Sequence, residues 1–237
     1  INEVAAHYTP SYNDEKKLKS GDLAKLDCGA HVEGYIGDTA RSFVVGAPKG
    51  DEIALINCSR RALNGALKAI RPGITLNEIG SIVENICKAQ GFRAIRNLSG
   101  HSLGKFELHA GISVPNFANR DLTKIEEGMA IAIEPFATNG KGIVTEKEYG
   151  GIYRYRGRNE ERNDALVERI QNHKGLPFAE RWYYDLEGNN LKRRIRKLVS
   201  KGVLSGYRVL VEKRGGYVAQ SEHTVIVNKH GCEVTTK

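Results

Sequence analysis

A chain of 237 residues with 40% hydrophobic and 27% charged residues, only 6 prolines and no low-complexity tract has an ordinary globular composition. It is long enough for one large domain or a domain carrying an insertion, and it excludes disorder as the default reading. Four cysteines, Cys28, Cys58, Cys87 and Cys232, form no C-x-x-C pair, which argues against a zinc ribbon or disulfide framework and fits a reducing, cytoplasmic setting. No apolar run nears the roughly 18 residues that span a bilayer, and no signal peptide is expected. The net charge of +8 permits an anionic partner without requiring one.

The opening INEVAAHYTP sets up neither helix nor strand and begins with Ile1, so the chain is expected to be the downstream part of a longer product. Residues 22–32 and 35–45 alternate as strands around a two-residue loop, Glu33-Gly34. Residues 51–70 carry helical spacing at Ile53, Ile56, Ala62, Leu63, Ala66, Leu67 and Ile70, and stop at Arg71-Pro72-Gly73. Thr75 and Glu78 form a capping box that opens a second helix to about Gln90, with Gly91 as its stop.

Strands are expected over 92–98, 105–114 and 129–137, with 115–128 as a polar connection. Helical stretches at 159–173, 178–187 and 189–200 precede GYRVLVEKRGGYVAQSEHTVIV, which reads as a hairpin turning at Gly215-Gly216. The expected fold is α+β: an antiparallel sheet with helices on one face, formed by 1–155 and 214–237, plus a winged-helix-like insertion at 156–213.

The segment LDCGAHVEGYIGD raises a chemical question, because strands disfavour aspartate. With a two-residue loop, Asp27 opposes Ala40 and Asp38 opposes Gly29, so both carboxylates are diagonal neighbours on one face. A hairpin aspartate is ordinarily a cap or faces solvent. Two on one face repel unless a cation joins them.

Further candidates are His101 in NLSGHSLG, His109 in ELHAG, Glu134 inside the apolar MAIAIEPF, and Glu222 ahead of Val225, Ile226 and Val227. A lone charge in such strands is costly unless paired or metal-bound. Gly100, Gly104 and Gly111 beside the histidines permit close ligand approach. Carboxylates with one histidine suit Mn, Fe, Co or Zn rather than a thiolate site. Four carboxylates balance two divalent ions better than one, which is a hydrolytic arrangement.

Together AAHYTP, LDCGAHVEGYIGDTARSF, NLSGHSLG, LHAG, AIEPFATNGKG and QSEHT resemble the type 2 methionine aminopeptidases of the pita-bread fold, in their shorter archaeal style. The resemblance runs in order along the whole chain and includes the helical insertion ahead of the last acidic motif. It implies that Asp27, Asp38, His101, Glu134 and Glu222 are ligands of two divalent metal ions, with Asp38 and Glu222 bridging. It implies that His109 contacts the scissile amide and that His7 lines the site. The implied reaction removes the N-terminal methionine of nascent polypeptides by hydroxide attack on the first peptide bond, with Glu134 relaying the proton.

Members of that family carry an upstream segment that supplies their first helices and part of the methionine pocket, and this chain is expected to lack it. A cytoplasmic monomer without membrane attachment is expected. Two other readings stay open: an X-Pro peptidase of the same fold, and a non-catalytic relative acting on the ribosome or nucleic acid. The second would use the basic run KRRIRK, residues 192–197, with Arg193, Arg194 and Lys197.

Overall fold

The computed structural model of the protein describes residues 1–157 and 164–237. After a short strand β1 (Val4–Ala6), the chain enters β2 (Leu23–Val32) and β3 (Tyr35–Val44). Glu33 and Gly34 both take positive φ, 52° and 92°, which is the two-residue turn whose twist matches paired strands. The resulting register pairs Val32 with Tyr35, Asp27 with Ala40 and Gly29 with Asp38, as the alternation predicts.

Helix α1 (Glu52–Ala69) follows, and it buries Leu55, Ile56, Cys58, Ala62, Leu63 and Ala66. Its buried stripe is rotated from the expected one, since Ile53 stays 49% exposed. Helix α2 (Leu76–Ala89) opens on the capping box, with the Glu78 N–H donating to Thr75 Oγ1 at 3.2 Å and the Thr75 N–H to Glu78 Oε2 at 2.8 Å. It ends before Gly91, whose φ of 78° lets the Phe92 N–H reach back to the Cys87 carbonyl.

Beyond α2 the strands differ from expectation. Only β4 (Arg93–Ala94) forms within 92–98, and 105–114 is mostly a loop between β5 (Ser99–Leu103) and β6 (Ser113–Pro115). The strand expected at 129–137 is two, β7 (Ala130–Ile133) and β8 (Phe136–Thr138), because Pro135 cannot donate to a ladder and the chain changes sheet there. Strand β9 (Val144–Tyr155) was not anticipated, and it runs through Gly150-Gly151. A Cβ at Gly150 would lie 1.7 Å from the His7 carbonyl, so glycine there permits a close backbone approach.

Next come α3 (Ala165–Gln171), β10 (Phe178–Ala179), α4 (Tyr184–Glu187), α5 (Leu191–Ser200), β11 (Leu204–Glu212), β12 (Val218–Gln220), β13 (Glu222–Asn228) and β14 (Gly231–Val234). Of the helix expected at 159–173, residues 159–163 lie outside the described part. The segment 178–187 is a short strand and a 3-10 turn before α4. The turn at Gly215-Gly216 does not close a hairpin: β11 neighbours β9, whereas β12 pairs with β8.

Two compact units result. The first comprises Ile1–Ala5, Leu18–Thr145 and Val211–Lys237. Its larger sheet has the order β2-β3-β13-β7-β5-β6 with β14 on β13, and its smaller sheet the order β12-β8-β4. Helices α1 and α2 pack over these strands, burying Leu55, Ile79, Val83, Ile131, Ile133, Ala137, Val225 and Val227.

The second unit comprises Ala6–Lys17 and Glu146–Leu210, with Ile170, Phe178, Tyr183, Ile195 and Val203 in its own core. On α5, Leu191, Ile195 and Leu198 face inward while Lys192, Arg193, Arg196 and Lys197 are exposed. Arg194 turns to Asp164 and Glu187 instead. No helix among the described residues is long and apolar enough to cross a membrane.

A glycine in mid-helix tests the packing. Helix propensity alone favours Gly80→Ala by about 1 kcal/mol. An added Cβ would lie 2.1 Å from the Phe117 carbonyl oxygen, and overpacking of this kind costs about 1–3 kcal/mol. The steric term wins, so Gly80→Ala is expected to lower the urea midpoint; a raised midpoint would contradict the packing.

Candidate metal centre

The two sheets of the first unit meet along two kinked strand pairs. Strand β7 passes to β8 through Glu134-Pro135, and β12 passes to β13 through Ser221. β7 pairs with β13 on one side of this kink and β8 with β12 on the other. Glu134 and Glu222 therefore stand where ladder pairing changes partners.

The aspartates come to the same place through β3. It pairs with β13 directly only at Ala40–Glu222 and Thr39–His223. Side-chain hydroxyls extend the junction. Thr224 Oγ1 accepts from the Asp38 N–H at 2.7 Å and donates to the Asp38 carbonyl at 2.9 Å. Ser42 Oγ does the same for Gln220, at 2.8 and 2.7 Å, and Thr39 Oγ1 donates to the Glu222 carbonyl at 2.9 Å. Strand pairing and hydroxyl bridges thus fix the backbone on both sides of Asp38 and Glu222.

His101 sits in the middle of β5, buried between Ala132 of β7 and Ser113 of β6. A Cβ at the preceding Gly100 would lie 2.2 Å from the Ala132 carbonyl oxygen, so glycine lets β5 approach β7 closely. His101 Nε2 lies 3.6 Å from Glu134 Oε1 and 3.8 Å from Asp38 Oδ2. Ligand atoms of Asp38, His101 and Glu222 all fall within 4.8 Å of one another. Gln220 Nε2 joins the remaining carboxylate, at 3.1 Å from Asp27 Oδ2, 3.4 Å from Glu134 Oε2 and 3.3 Å from Glu222 Oε2.

His109 is exposed on the loop after β5, its ring centroid 4.3 Å from that of His101. The loop is clamped at its base by the Ala110 N–H donating to the Ser102 carbonyl at 2.9 Å and the Ile112 N–H to Ser102 Oγ at 3.1 Å. His7 belongs to the second unit. It holds a φ of 66°, unusual for a residue with a side chain, and Nδ1 lies 3.1 Å from the Arg208 carbonyl.

Charge at the centre follows from burial and crowding. Burial, then the charges of Asp27 and Asp38, push Glu134 well above the usual carboxylate range against the opposing Gln220 amide. Burial and the charges of Glu134, Asp38, Asp27 and Cys28 raise Glu222 likewise. Burial raises Asp38 despite the Thr39 backbone N–H, and burial lowers His101, which keeps its imidazole neutral with a lone pair for coordination. The 3.6 and 3.8 Å separations at His101 Nε2 exceed hydrogen-bond distance, and they suit donors sharing a cation at about 2.0–2.2 Å from each. The donor set fits divalent metal.

Family comparison agrees with the chemistry: the sequence pattern of metallopeptidase family M24 matches residues 1–229. The chain belongs to this family. It is similar to a methionine aminopeptidase of Thermococcus onnurineus, 46% identical over 242 residues that cover 100% of this chain and 81% of that one. A crystal structure of a methionine aminopeptidase from Thermotoga maritima is 26% identical, with a TM-score of 0.70 over 100% of this chain and 71% of that one. A thermophilic Arx1, 18% identical, reaches a TM-score of 0.82 over 99% of this chain and 73% of that one, a likeness of fold alone.

The pita-bread fold expected from the motifs is therefore this M24 protein's fold, with mixed α and β structure and antiparallel sheets. Gln220, Ser42 and Thr224 escaped the sequence reading, although an amide two residues before Glu222 in an otherwise apolar strand was a usable signal.

The raised carboxylates set a sign for metal loading. The raised carboxyls of Asp38, Glu134 and Glu222 hold their protons to higher pH than ordinary carboxylates, and a cation must displace them, whereas the lowered His101 gives up its proton earlier. Apparent affinity for Mn or Co is expected to rise with pH above the ordinary carboxylate range, and proton release per ion to fall. Calorimetry in buffers of different ionisation enthalpy measures both; pH-independent affinity without proton release would contradict the assignment.

Proposed function

We propose that this M24 protein is a methionine aminopeptidase acting on the N-termini of nascent polypeptides in the cytoplasm, and that Asp27, Asp38, His101, Glu134 and Glu222 hold a pair of divalent cations drawn from Co, Mn, Fe or Zn. The observation that carries this reading is the convergence of Asp38, His101 and Glu222 at ligand distance, with Glu134 3.6 Å from His101. Family membership and the 46% identical relative support the same activity.

Such ions, when bound, bring the pKa of water toward 7 and polarise a carbonyl. The protein's own groups do the rest. Asp38 and Glu222, whose backbones are anchored through the Thr224 and Thr39 hydroxyls, would hold the ions. Glu134 is the proton carrier. It takes a proton from the attacking water and passes it to the departing amine. His109, exposed beside His101, donates to the scissile amide, and His7 binds substrate.

In this proposal 1–155 with 214–237 forms the catalytic domain, 156–213 is a winged-helix-like insertion, and the enzyme is a monomer. The exposed Lys192, Arg193, Arg196 and Lys197 of α5 support ribosome association through its phosphates.

Met-Ala-Ser is the diagnostic substrate: methionine release from it, with little hydrolysis of an X-Pro peptide, is expected in the presence of divalent metal. Cleavage of only the X-Pro peptide, or of neither, would overturn the reading. Asp38→Asn is expected to lower kcat by about 10²-fold or more through misplaced reactants, with the melting temperature of the metal-free form unchanged or raised, because a buried charge is removed. Full turnover by that variant at saturating metal would exclude Asp38 as a ligand. Replacing the four exposed α5 cations with glutamine is expected to weaken ribosome cosedimentation and leave peptide turnover intact; unchanged sedimentation would remove the ribosome from the proposal.

A further inference from the structure

Gln220 is a neutral residue enclosed by acids. It ends β12, is 1% exposed, and has its backbone N–H and carbonyl both bound to the Ser42 hydroxyl. Its Nε2 lies 3.1 Å from Asp27, 3.4 Å from Glu134 and 3.3 Å from Glu222, while its buried Oε1 has no hydrogen-bond partner among the described residues. One amide nitrogen carries two hydrogens and meets oxygens of three carboxylates that arrive from different parts of the sheet.

We infer that Gln220 is a positioning residue of the metal centre, whose side-chain N–H groups hold one oxygen each of neighbouring carboxylates and so turn the others toward the cations. The inference rests on the proposed reading of the cluster as a metal centre. Its chemistry follows from the side chain. Reversing the amide would press Oε1 against carboxylate oxygens, so the nitrogen must face the cluster. Lysine or arginine at this position would bring a charge of its own and compete with the metal for the carboxylates. Glutamate would add another anion to a set that already repels. Glutamine donates without doing either, and the Ser42 hydroxyl fixes the backbone from which it donates. Metal sites commonly orient their ligands through such outer hydrogen bonds.

The test compares the full chain with Gln220→Met, which keeps the length and removes the donors. Calorimetric titration with Co²⁺ and the visible spectrum of the Co²⁺-loaded protein are read alongside the melting temperature of the metal-free form. Gln220→Met is expected to fold and to bind Co²⁺ about 10- to 100-fold more weakly, with an altered absorption envelope, as for other lost outer-sphere partners. Equal affinity and an identical spectrum would overturn the inference while leaving the metal centre intact. No Co²⁺ binding by the unsubstituted chain would overturn the metal-centre reading and this inference with it.

Should the variant fail to fold, the unsubstituted chain decides. Its three glutamines, Gln90, Gln171 and Gln220, can be labelled selectively with ¹⁵N. One side-chain amide pair is expected to be protected from solvent exchange and to shift on addition of Zn²⁺. If none of the three pairs shifts while Zn²⁺ binds, Gln220 does not position the centre.

Discussion

Repulsion among neighbouring carboxylates is the constraint around which the first unit is organised. The charges of Asp27 and Asp38 bear on Glu134 and Glu222, and burial of Asp38, Glu134 and Glu222 withholds the water that would screen them, although Asp27 itself is exposed. A cluster of this kind spreads apart unless backbone and hydrogen bonds oppose it. Here the opposition is local and identifiable: the Thr39, Ser42 and Thr224 hydroxyls fix β3 to the strands beside it, and the Gln220 amide takes up carboxylate oxygens. Stored repulsion of this sort is released when cations enter, which couples the affinity of the centre to the rigidity of its frame.

That frame depends on two strands that each change sheets. Pro135 ends one ladder and Ser221 separates two others, so the acidic side chains next to them emerge at a seam between the two sheets. Glycine completes the geometry. At Gly100 the missing side chain allows β5 to lie against the Ala132 carbonyl, bringing His101 within coordinating range of Asp38 and Glu134. Helices α1 and α2 contribute no ligand. Their part is to bury the backs of the strands, through residues such as Leu55, Ile79 and Val83.

The second unit uses different means. Its core joins β9 and short helices through Phe178, Tyr183 and Ile195, and its outer surface carries the cations of α5 on a helix without acidic residues of its own. Arg194 shows why a basic run cannot be read as one surface: its neighbours face solvent, while its own side chain is committed to Asp164 and Glu187.

Local physical rules made part of this protein legible from its sequence. The Glu33-Gly34 turn dictates the register that sets Asp27 and Asp38 diagonally on one face, and Thr75 with Glu78 marks where α2 begins. Charged residues inside apolar strands announce Glu134 and Glu222, because burying an isolated carboxylate has no other economy. The family motifs identify the fold because each places a residue type the chemistry needs on a strand that the fold brings to the site. What lay beyond reach were consequences of distant segments meeting. The breaks at Pro135 and Ser221, the β9–β11 pairing behind Gly150-Gly151, and the hydroxyl bridges from Ser42 and Thr224 join residues far apart in the chain. Sequence alone therefore determined which side chains could serve the chemistry, through turn geometry and the cost of buried charge; tertiary structure decided how Gln220 meets three of them, because that contact exists only once β2, β7 and β12 share a seam.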